Sequence, residues 1–278
     1  MGLGRLNSAD RAVLVYDLAV LALLIAAGRG LHSWQGRAAL HLLLVPAVWF
    51  LAGAGRSREG SLAHFCHLGY PLALLAWLYP EVGTLRHLIV PVDLDPLVAG
   101  WDALLFPGRI HATVPPRLPV TLLELLHGVY FSFYLLLPLP ALVLWRRRAF
   151  AGMSSYVSVL TCCMLAHYAF GIAFPVSGPV ALRAAVMPEG FLFLPLMDRL
   201  YAGFDRGGAA FPSTHAAAAV IAGFHAARLF PRLRWLFAVL VAAILVSTVL
   251  CTYHYAIDTA AGALTGGLFL ALRRSTKV

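Results

Sequence analysis

Residues 235–252 read Trp-Leu-Phe-Ala-Val-Leu-Val-Ala-Ala-Ile-Leu-Val-Ser-Thr-Val-Leu-Cys-Thr, a run without a charged side chain. About 20 apolar helical residues cross the roughly 30 Å hydrocarbon core of a bilayer, so this run predicts a transmembrane span. Seven other stretches of similar character complete the predicted set: 12–28, 38–55, 61–79, 119–145, 149–175, 212–230 and 254–272. The expected fold is therefore all-α, a polytopic membrane helical bundle with about eight transmembrane helices.

The composition supports this fold class. Hydrophobic residues make up 61% of the 278 residues and charged residues 12%, about half the share that is usual in soluble proteins. A soluble chain of this size could not bury so much apolar surface. The composition therefore excludes a soluble enzyme, a coiled coil and a disordered chain.

The formal net charge of +9 comes from basic residues whose positions indicate the topology of a membrane protein. Most basic residues lie in short clusters on one side of the alternating spans, with 146–148 (Arg-Arg-Arg) as the strongest anchor. This asymmetry predicts that both termini are cytoplasmic and that the long loops, 80–118 and 176–211, face outward. No basic stripe is interleaved with aromatics, so no nucleic-acid partner is expected. The bias toward Arg and Ala favours a bacterial plasma membrane.

The outward loop 80–118 carries several carboxylates and aromatics among its prolines. We expect an interfacial helix there, with its aromatic side chains at the level of the lipid headgroups. Gly262 and Gly266 in the last span form a GxxxG pattern, which favours close packing of two helices.

The strongest chemical candidates are His254 and Asp258, at the outward end of the last predicted span. On a helix, residues i and i+4 share one face, so the carboxylate can hold one imidazole nitrogen and leave the other available as a nucleophile or base. A helix-capping pair fits the same spacing.

A second candidate segment is Phe211-Pro-Ser-Thr-His215, at the start of the sixth predicted span. Ser213 can cap the first backbone N–H groups of a helix, and a helix N-terminus favours a phosphate. His215 would then lie at the same membrane depth as His254. A third segment, 174–179 (Phe-Pro-Val-Ser-Gly-Pro), ends the fifth span and is followed by Arg183.

Together the three segments resemble motifs of the type 2 phosphatidic acid phosphatase superfamily, and in detail its inositol phosphorylceramide synthase (inositolphosphotransferase) branch. Residues 211–215 match the branch's Phe-Pro-Ser-x-His signature, and residues 254–258 match its His-Tyr-x-x-Asp signature. The resemblance covers roughly residues 90–272. It implies a six-helix phosphatase-like core, with N-terminal transmembrane helices in 1–85 and a catalytic membrane domain in 86–278.

The resemblance also implies the chemistry. His254 would attack phosphorus and form a phosphohistidine, Asp258 would orient it, and His215 would exchange protons with the leaving and accepting groups. The substrate would be a lipid phosphoester in the bilayer, and the acceptor would be a hydroxyl compound such as inositol, or water. No cofactor and no metal is expected, and no oligomeric state is predicted.

The sequence departs from the superfamily in its cations. The usual first motif begins with Lys, but the single Lys of this chain is Lys277, and Ser247-Thr248 stand where Ser-Arg is usual. Other groups must therefore meet the phosphate charge, and Arg183, Arg206, Ser213 and Ser177 are the candidates. Arg199 is interpreted as a solvated partner of its neighbour Asp198.

The fourth predicted span carries a further polar set that could share one helix face: Glu124, His127, Tyr130 and Tyr134. This set fits a headgroup pocket or a buried hydrogen-bonded cluster. His167 and Asp17 are expected to be structural partners. A proton-coupled transporter and a non-catalytic scaffold are rival functions, but no inverted repeat of the kind that transporters carry is visible.

Overall fold

The computed structural model describes residues 6–56, 58–204 and 206–275, and this part of the chain is almost entirely helical. Short 3₁₀ turns connect several of the helices. The α-helices are α1 (Ser8–Ala27), α2 (Trp34–Arg56), α3 (Leu62–Leu85), α4 (Asp95–Leu105), α5 (Ile110–Thr113), α6 (Val120–Leu136), α7 (Leu139–Arg146), α8 (Phe150–Ala173), α9 (Arg183–Val186), α10 (Phe193–Phe204), α11 (Thr214–Leu229), α12 (Arg234–Leu250) and α13 (Ala256–Ser275).

Six helical segments of the described residues are long and apolar enough to cross a membrane. They are Ser8–Gly30, Trp34–Arg56, Leu62–Leu85, Val120–Arg146, Phe150–Ala173 and Pro231–Leu250. The two remaining predicted spans, 212–230 and 254–272, fold as α11 and α13. The prediction of an all-α, polytopic membrane bundle is therefore confirmed, and the chain is an integral membrane protein.

The fourth predicted span, 119–145, is not one continuous helix. It divides into α6 and α7 at Pro138, with Pro140 in the first turn of α7. Proline has no backbone N–H and its ring collides with the preceding turn, so a helix interior kinks or ends there.

Helix α8 forms the centre of the bundle. In its most apolar window, 72% of the residues are buried, against 22–33% in the other five apolar segments. Helices α1, α3, α7, α11 and α13 all pack against it. A helix that is apolar on every side belongs in the interior, and α8 has no dominant polar face.

Buried polar pairs also link helices of the bundle, and Asp17 and His167 are structural partners as expected. The Nδ1 atom of His41 in α2 lies 2.6 Å from Oδ1 of Asp17 in α1, and both side chains are buried. His167 in α8 lies 2.9 Å from the hydroxyl of Thr265 in α13. Each pair gives polar atoms a partner in the membrane interior, where an unpaired polar side chain is costly.

Helices α11 and α13 are in backbone contact, which confirms the packing role of the two glycines. A Cβ atom added to Gly262 would lie 2.2 Å from the carbonyl oxygen of Ser213, and one added to Gly266 would lie 2.7 Å from that of Ala217. The start of α11 is therefore held directly against α13.

The three candidate segments meet at one end of the bundle, where α8 and α12 end and α11 and α13 begin. An isolated parallel β-bridge joins Val176, just after α8, to Ala209, just before α11. The backbone N–H of Ser213 donates to the carbonyl oxygen of Asp258 at 2.9 Å. Two sequence-distant loops and the start of α13 are thus fixed against each other.

Candidate active site

His254 and Asp258 are adjacent, but not on one helix face. Helix α13 begins at Ala256, so His254 lies in the turn before it, and its backbone N–H donates to the carbonyl oxygen of Thr248 at 3.1 Å. The Nδ1 atom of His254 lies 3.5 Å from Oδ2 of Asp258. The same oxygen accepts a 2.9 Å hydrogen bond from the backbone N–H of Tyr255, which fixes the carboxylate. The expectation that His254 is helical was wrong, because Asp258 caps this turn.

The second imidazole nitrogen of His254 faces the start of α11. Its Nε2 atom lies 3.1 Å from the Oγ atom of Ser213. Ser213 is the N-cap of α11, and its Oγ accepts a hydrogen bond from the backbone N–H of Ala216, so the predicted cap is confirmed. His254 thus has a carboxylate 3.5 Å from one ring nitrogen and a helix N-cap beside the other.

His215 lies beside His254, with ring centroids 5.8 Å apart. Aromatic rings surround it, with Phe133 at 4.9 Å and Tyr130 at 5.3 Å between centroids. Its Nδ1 atom is buried without a hydrogen-bond partner among the described residues. Two imidazoles of the three candidate segments are therefore within reach of one bound group.

The loop at 177–178 is held by carboxylates that sequence reasoning did not select. Asp95 accepts hydrogen bonds from the backbone N–H groups of Ser177 and Gly178 at 2.9 and 2.8 Å. Asp93 accepts one from the Ser177 hydroxyl at 3.0 Å. Burial raises the pKa of Asp95, and the two backbone donors oppose that rise. The helix expected in 80–118 is present as α4. The sequence signal for this role was the two carboxylates at its start, Asp93 just before the helix and Asp95 as its first residue.

Asp102 in the same helix supports the other side of the site. Its Oδ1 atom accepts a 3.0 Å hydrogen bond from the backbone N–H of Ile257, in the first turn of α13. The Trp101 ring stacks on Phe174 at 6.1 Å and contacts Phe211 at 6.0 Å. Helix α4 therefore braces all three candidate segments from outside.

Arg86, at the end of α3, is a cation that the sequence analysis missed. Its guanidinium pairs with Asp93 at 3.2 Å and donates to the carbonyl oxygen of Arg206. It lies over Gly207, where φ is +74° and an added Cβ would lie 2.8 Å from Arg86 and 2.6 Å from the Ser177 hydroxyl. Only glycine accommodates both this backbone conformation and this approach. Arg206 itself is exposed.

Arg183 is buried and tied to the segment that precedes His254. Its guanidinium donates to the carbonyl oxygen of Cys251 and lies 4.0 Å from the ring centroid of Tyr253. It also pairs with Asp198 at 2.5 Å. The interpretation of Asp198 as a partner of Arg199 was therefore wrong, because α9 and α10 bring Arg183 to that carboxylate instead.

The four polar residues of α6 lie in different surroundings rather than in one pocket. Glu124 accepts hydrogen bonds from four backbone N–H groups at the start of α10, two of them from Phe191 and Phe193 at 2.5 and 2.6 Å. His127 donates from Nδ1 to the carbonyl oxygen of Leu123, and its Nε2 atom lies 3.4 Å from the guanidinium of Arg183. Tyr130 is fully buried. Tyr134 borders an apolar cavity.

Two cavities flank the histidines. A polar one of about 850 Å³ is bordered by Arg86, Ser177, Arg183, Asp198 and Arg206. An apolar one of about 410 Å³ reaches His215. Between them is a narrow gap lined by His254, Ser177 and Gly207. The predicted cations and the predicted histidines thus border neighbouring spaces, which share lining residues.

The arrangement can support nucleophilic chemistry at His254, since one imidazole nitrogen lies 3.5 Å from a carboxylate and the other lies 3.1 Å from the N-cap serine of α11. In the described part of the chain, no group of three or more His, Cys, Asp or Glu side chains could hold a metal ion.

The fold and these side chains define a helical membrane protein with a histidine-centred site. The family model of the PAP2 superfamily matches residues 118–272, more than half of the chain. The chain therefore belongs to the PAP2 superfamily, and its fold is that of a phosphatase-type lipid phosphoesterase. No curated protein and no solved structure matches it.

Proposed function

We propose that the protein is a membrane-embedded lipid phosphoester phosphotransferase that works through a phosphohistidine, as in the inositolphosphotransferase branch of the superfamily. The observation that carries this proposal is the orientation of His254, which lines the gap and whose Nδ1 atom lies 3.5 Å from Asp258 while its Nε2 atom lies 3.1 Å from Ser213. This is the orientation that a nucleophilic imidazole requires.

In the first half-reaction, Nε2 of His254 bonds to phosphorus and the phosphoester P–O bond breaks. His215 gives a proton to the departing alkoxide, and Asp258 stabilises the cationic phosphoimidazole. In the second half-reaction, His215 takes a proton from the acceptor hydroxyl, whose oxygen bonds to phosphorus as the P–N bond breaks. Both steps keep the phosphate charge near the same donors.

The phosphate-binding groups in this proposal are Arg183, Arg206, Ser213 and Ser177. Arg183, Arg206 and Ser177 border the polar cavity, and Ser177 also lines the gap. Ser213 caps α11 and lies 3.1 Å from the Nε2 atom of His254. Developing negative charge in such a site is stabilised by preorganised donors, commonly by several kcal/mol (about 3 for a single donor). Arg86 joins this group because it lies beside Ser177 over Gly207.

Transfer to a hydroxyl compound such as inositol is favoured over simple hydrolysis by the size of the polar cavity, about 850 Å³. Pockets of roughly 300–1,000 Å³ hold small molecules. A lipid phosphate phosphatase with water as acceptor is the alternative. We place the catalytic membrane domain in 86–278, after the N-terminal helices of 1–85, with its site on the extracytoplasmic side of a bacterial plasma membrane.

The test is a product analysis with purified protein. Labelled lipid phosphoesters are incubated with and without inositol, and the products are identified by mass spectrometry. Transfer predicts a phosphoinositol product that appears only when inositol is added, whereas hydrolysis predicts released phosphate or phosphoalcohol in both cases. Vanadate, a phosphate analogue, should inhibit either reaction. Absence of any phosphoester cleavage, with the protein shown to be folded, would refute the proposal.

A further inference from the structure

One side chain, Tyr201 of α10, borders both cavities and the gap between them. Its ring stacks on Tyr253 with centroids 4.0 Å apart, and its hydroxyl lies 2.6 Å from that of Tyr130. Tyr253 immediately precedes His254 in the chain. Tyr201 therefore forms the boundary between a polar and an apolar space directly beside the candidate nucleophile.

Helix α10 presents a different kind of side chain to each space. Asp198 and Ala202, one turn apart, border the polar cavity, whereas Leu200 and Phe204, also one turn apart, border the apolar one. The helix is anchored at its start by the Glu124 carboxylate and packs mainly on α6. It is thus placed to separate the polar part of a ligand from its apolar part.

The apolar cavity lies within the membrane-spanning helices. Leu72, Ala76 and Tyr79 line it from one face of α3, and Leu160 and Met164 line it from α8. Its volume is about 410 Å³, and a methylene group fills roughly the volume of a water molecule, ~30 Å³. The space therefore suits on the order of a dozen chain carbons, which is one acyl chain and not two. His215 also lines this cavity.

We propose that this cavity binds a single apolar chain of the lipid substrate, and that Tyr201 marks the boundary at which the chain ends and the phosphoester begins. The inference rests on the proposed function, because it takes the group between His215 and His254 to be the phosphoester. It adds a substrate class: single-chain amphiphiles, or two-chain lipids of which one chain enters the protein while the other stays in the bilayer.

The experiment uses the full chain in detergent and a series of n-alkyl phosphates of increasing length, with matched non-hydrolysable n-alkyl phosphonates for binding. In the wild type, kcat/KM and the thermal stabilisation by phosphonates should both rise with chain length, by about fourfold in kcat/KM per buried methylene, and then level off. Leu72→Trp and Ala76→Trp should move the plateau to shorter chains.

Ala242→Trp is the matched control, since Ala242 is an exposed alanine of α12 that borders neither cavity. It should leave the chain-length profile unchanged. Tyr201→Phe, which loses only the hydroxyl, should keep the profile, whereas Tyr201→Ala should lower kcat more than it raises KM, because the phosphoester would no longer be stopped beside His254.

The inference is overturned if the wild-type profile is flat, or if Ala76→Trp and Ala242→Trp have the same profile. The phosphonate arm separates the two proposals. Chain-dependent stabilisation without turnover would support the chain site and contradict the phosphotransferase activity, whereas turnover without any chain dependence would do the reverse.

Discussion

The Nε2 atom of His254 lies 3.1 Å from the Oγ atom of Ser213. Ser213 is also the N-cap of α11, and two residues later the same helix carries His215. One short segment therefore aligns the candidate nucleophile, places an N–H-rich helix end beside it and carries the second histidine. The geometry of the site depends on how this segment is held against α13.

Replacing His254 by Ala should abolish turnover, because the covalent route through its imidazole is lost. Asp258→Asn should keep measurable activity, since the amide oxygen can still accept from the Tyr255 N–H while the orientation of His254 weakens. Steady-state kinetics on both variants, with thermal unfolding in detergent as a check of folding, tests this. Wild-type rates in His254→Ala would contradict the assignment.

Ser213→Ala should affect both stability and rate. Loss of an N-cap hydroxyl costs about 0.5–2 kcal/mol, and the same substitution removes the contact with His254. We expect a lower unfolding temperature together with a lower kcat. Ser213→Thr keeps the hydroxyl and should recover most of the stability, so equal unfolding temperatures for the Ala and Thr variants would argue against the capping role.

Arg183→Ala and Arg206→Ala should each lower turnover by roughly ten- to a thousandfold, the range for loss of a transition-state charge partner. Arg183→Ala should also destabilise the protein, because it leaves the Cys251 carbonyl without this donor and Asp198 without its ion-pair partner. Arg199→Ala is the control and should change little. This assignment of the phosphate-binding cations would be refuted if Arg199→Ala lowered turnover while Arg183→Ala and Arg206→Ala left it unchanged.

Gly262→Ala should lower both stability and activity, although Gly262 is not itself a site residue. The added methyl group would meet the Ser213 carbonyl oxygen at 2.2 Å, so α11 and α13 must separate. Overpacking of this kind costs about 1–3 kcal/mol, and the shift would move Ser213 away from His254. Gly267→Ala on the same helix meets nothing within 4 Å and is the matched control. Equal activity and stability in the two variants would contradict the contact.

The orientation of the site in the membrane is tested by labelling. A single cysteine at the exposed position 206, in a chain whose four native cysteines are replaced, should react with a membrane-impermeant maleimide in intact cells. The expectation follows from the excess of Lys and Arg on the opposite side of the predicted spans. Reaction only after lysis would reverse the topology.

The spans and the three motif segments could be predicted because their signals are local: apolar length, a capping serine, and short histidine spacings. The residues that hold the site in place could not be predicted. The hydrogen bond between Asp95 and Ser177 joins residues 82 positions apart in the sequence, and that between Tyr201 and Tyr130 joins residues 71 positions apart. Such pairs form only after the helices pack, so no periodicity in one segment indicates them. The start of α13 was misplaced for a related reason, since Asp258 caps the turn that contains His254.

The most direct test of the account is to trap the covalent intermediate. The wild-type protein is mixed with a phosphoester labelled on phosphorus, denatured within the first turnover at alkaline pH, digested and sequenced by mass spectrometry. The account predicts an acid-labile phosphoryl group on the peptide that contains His254, absent from His254→Ala. Turnover without any phosphoryl group on His254, or with the label on another residue, would contradict it.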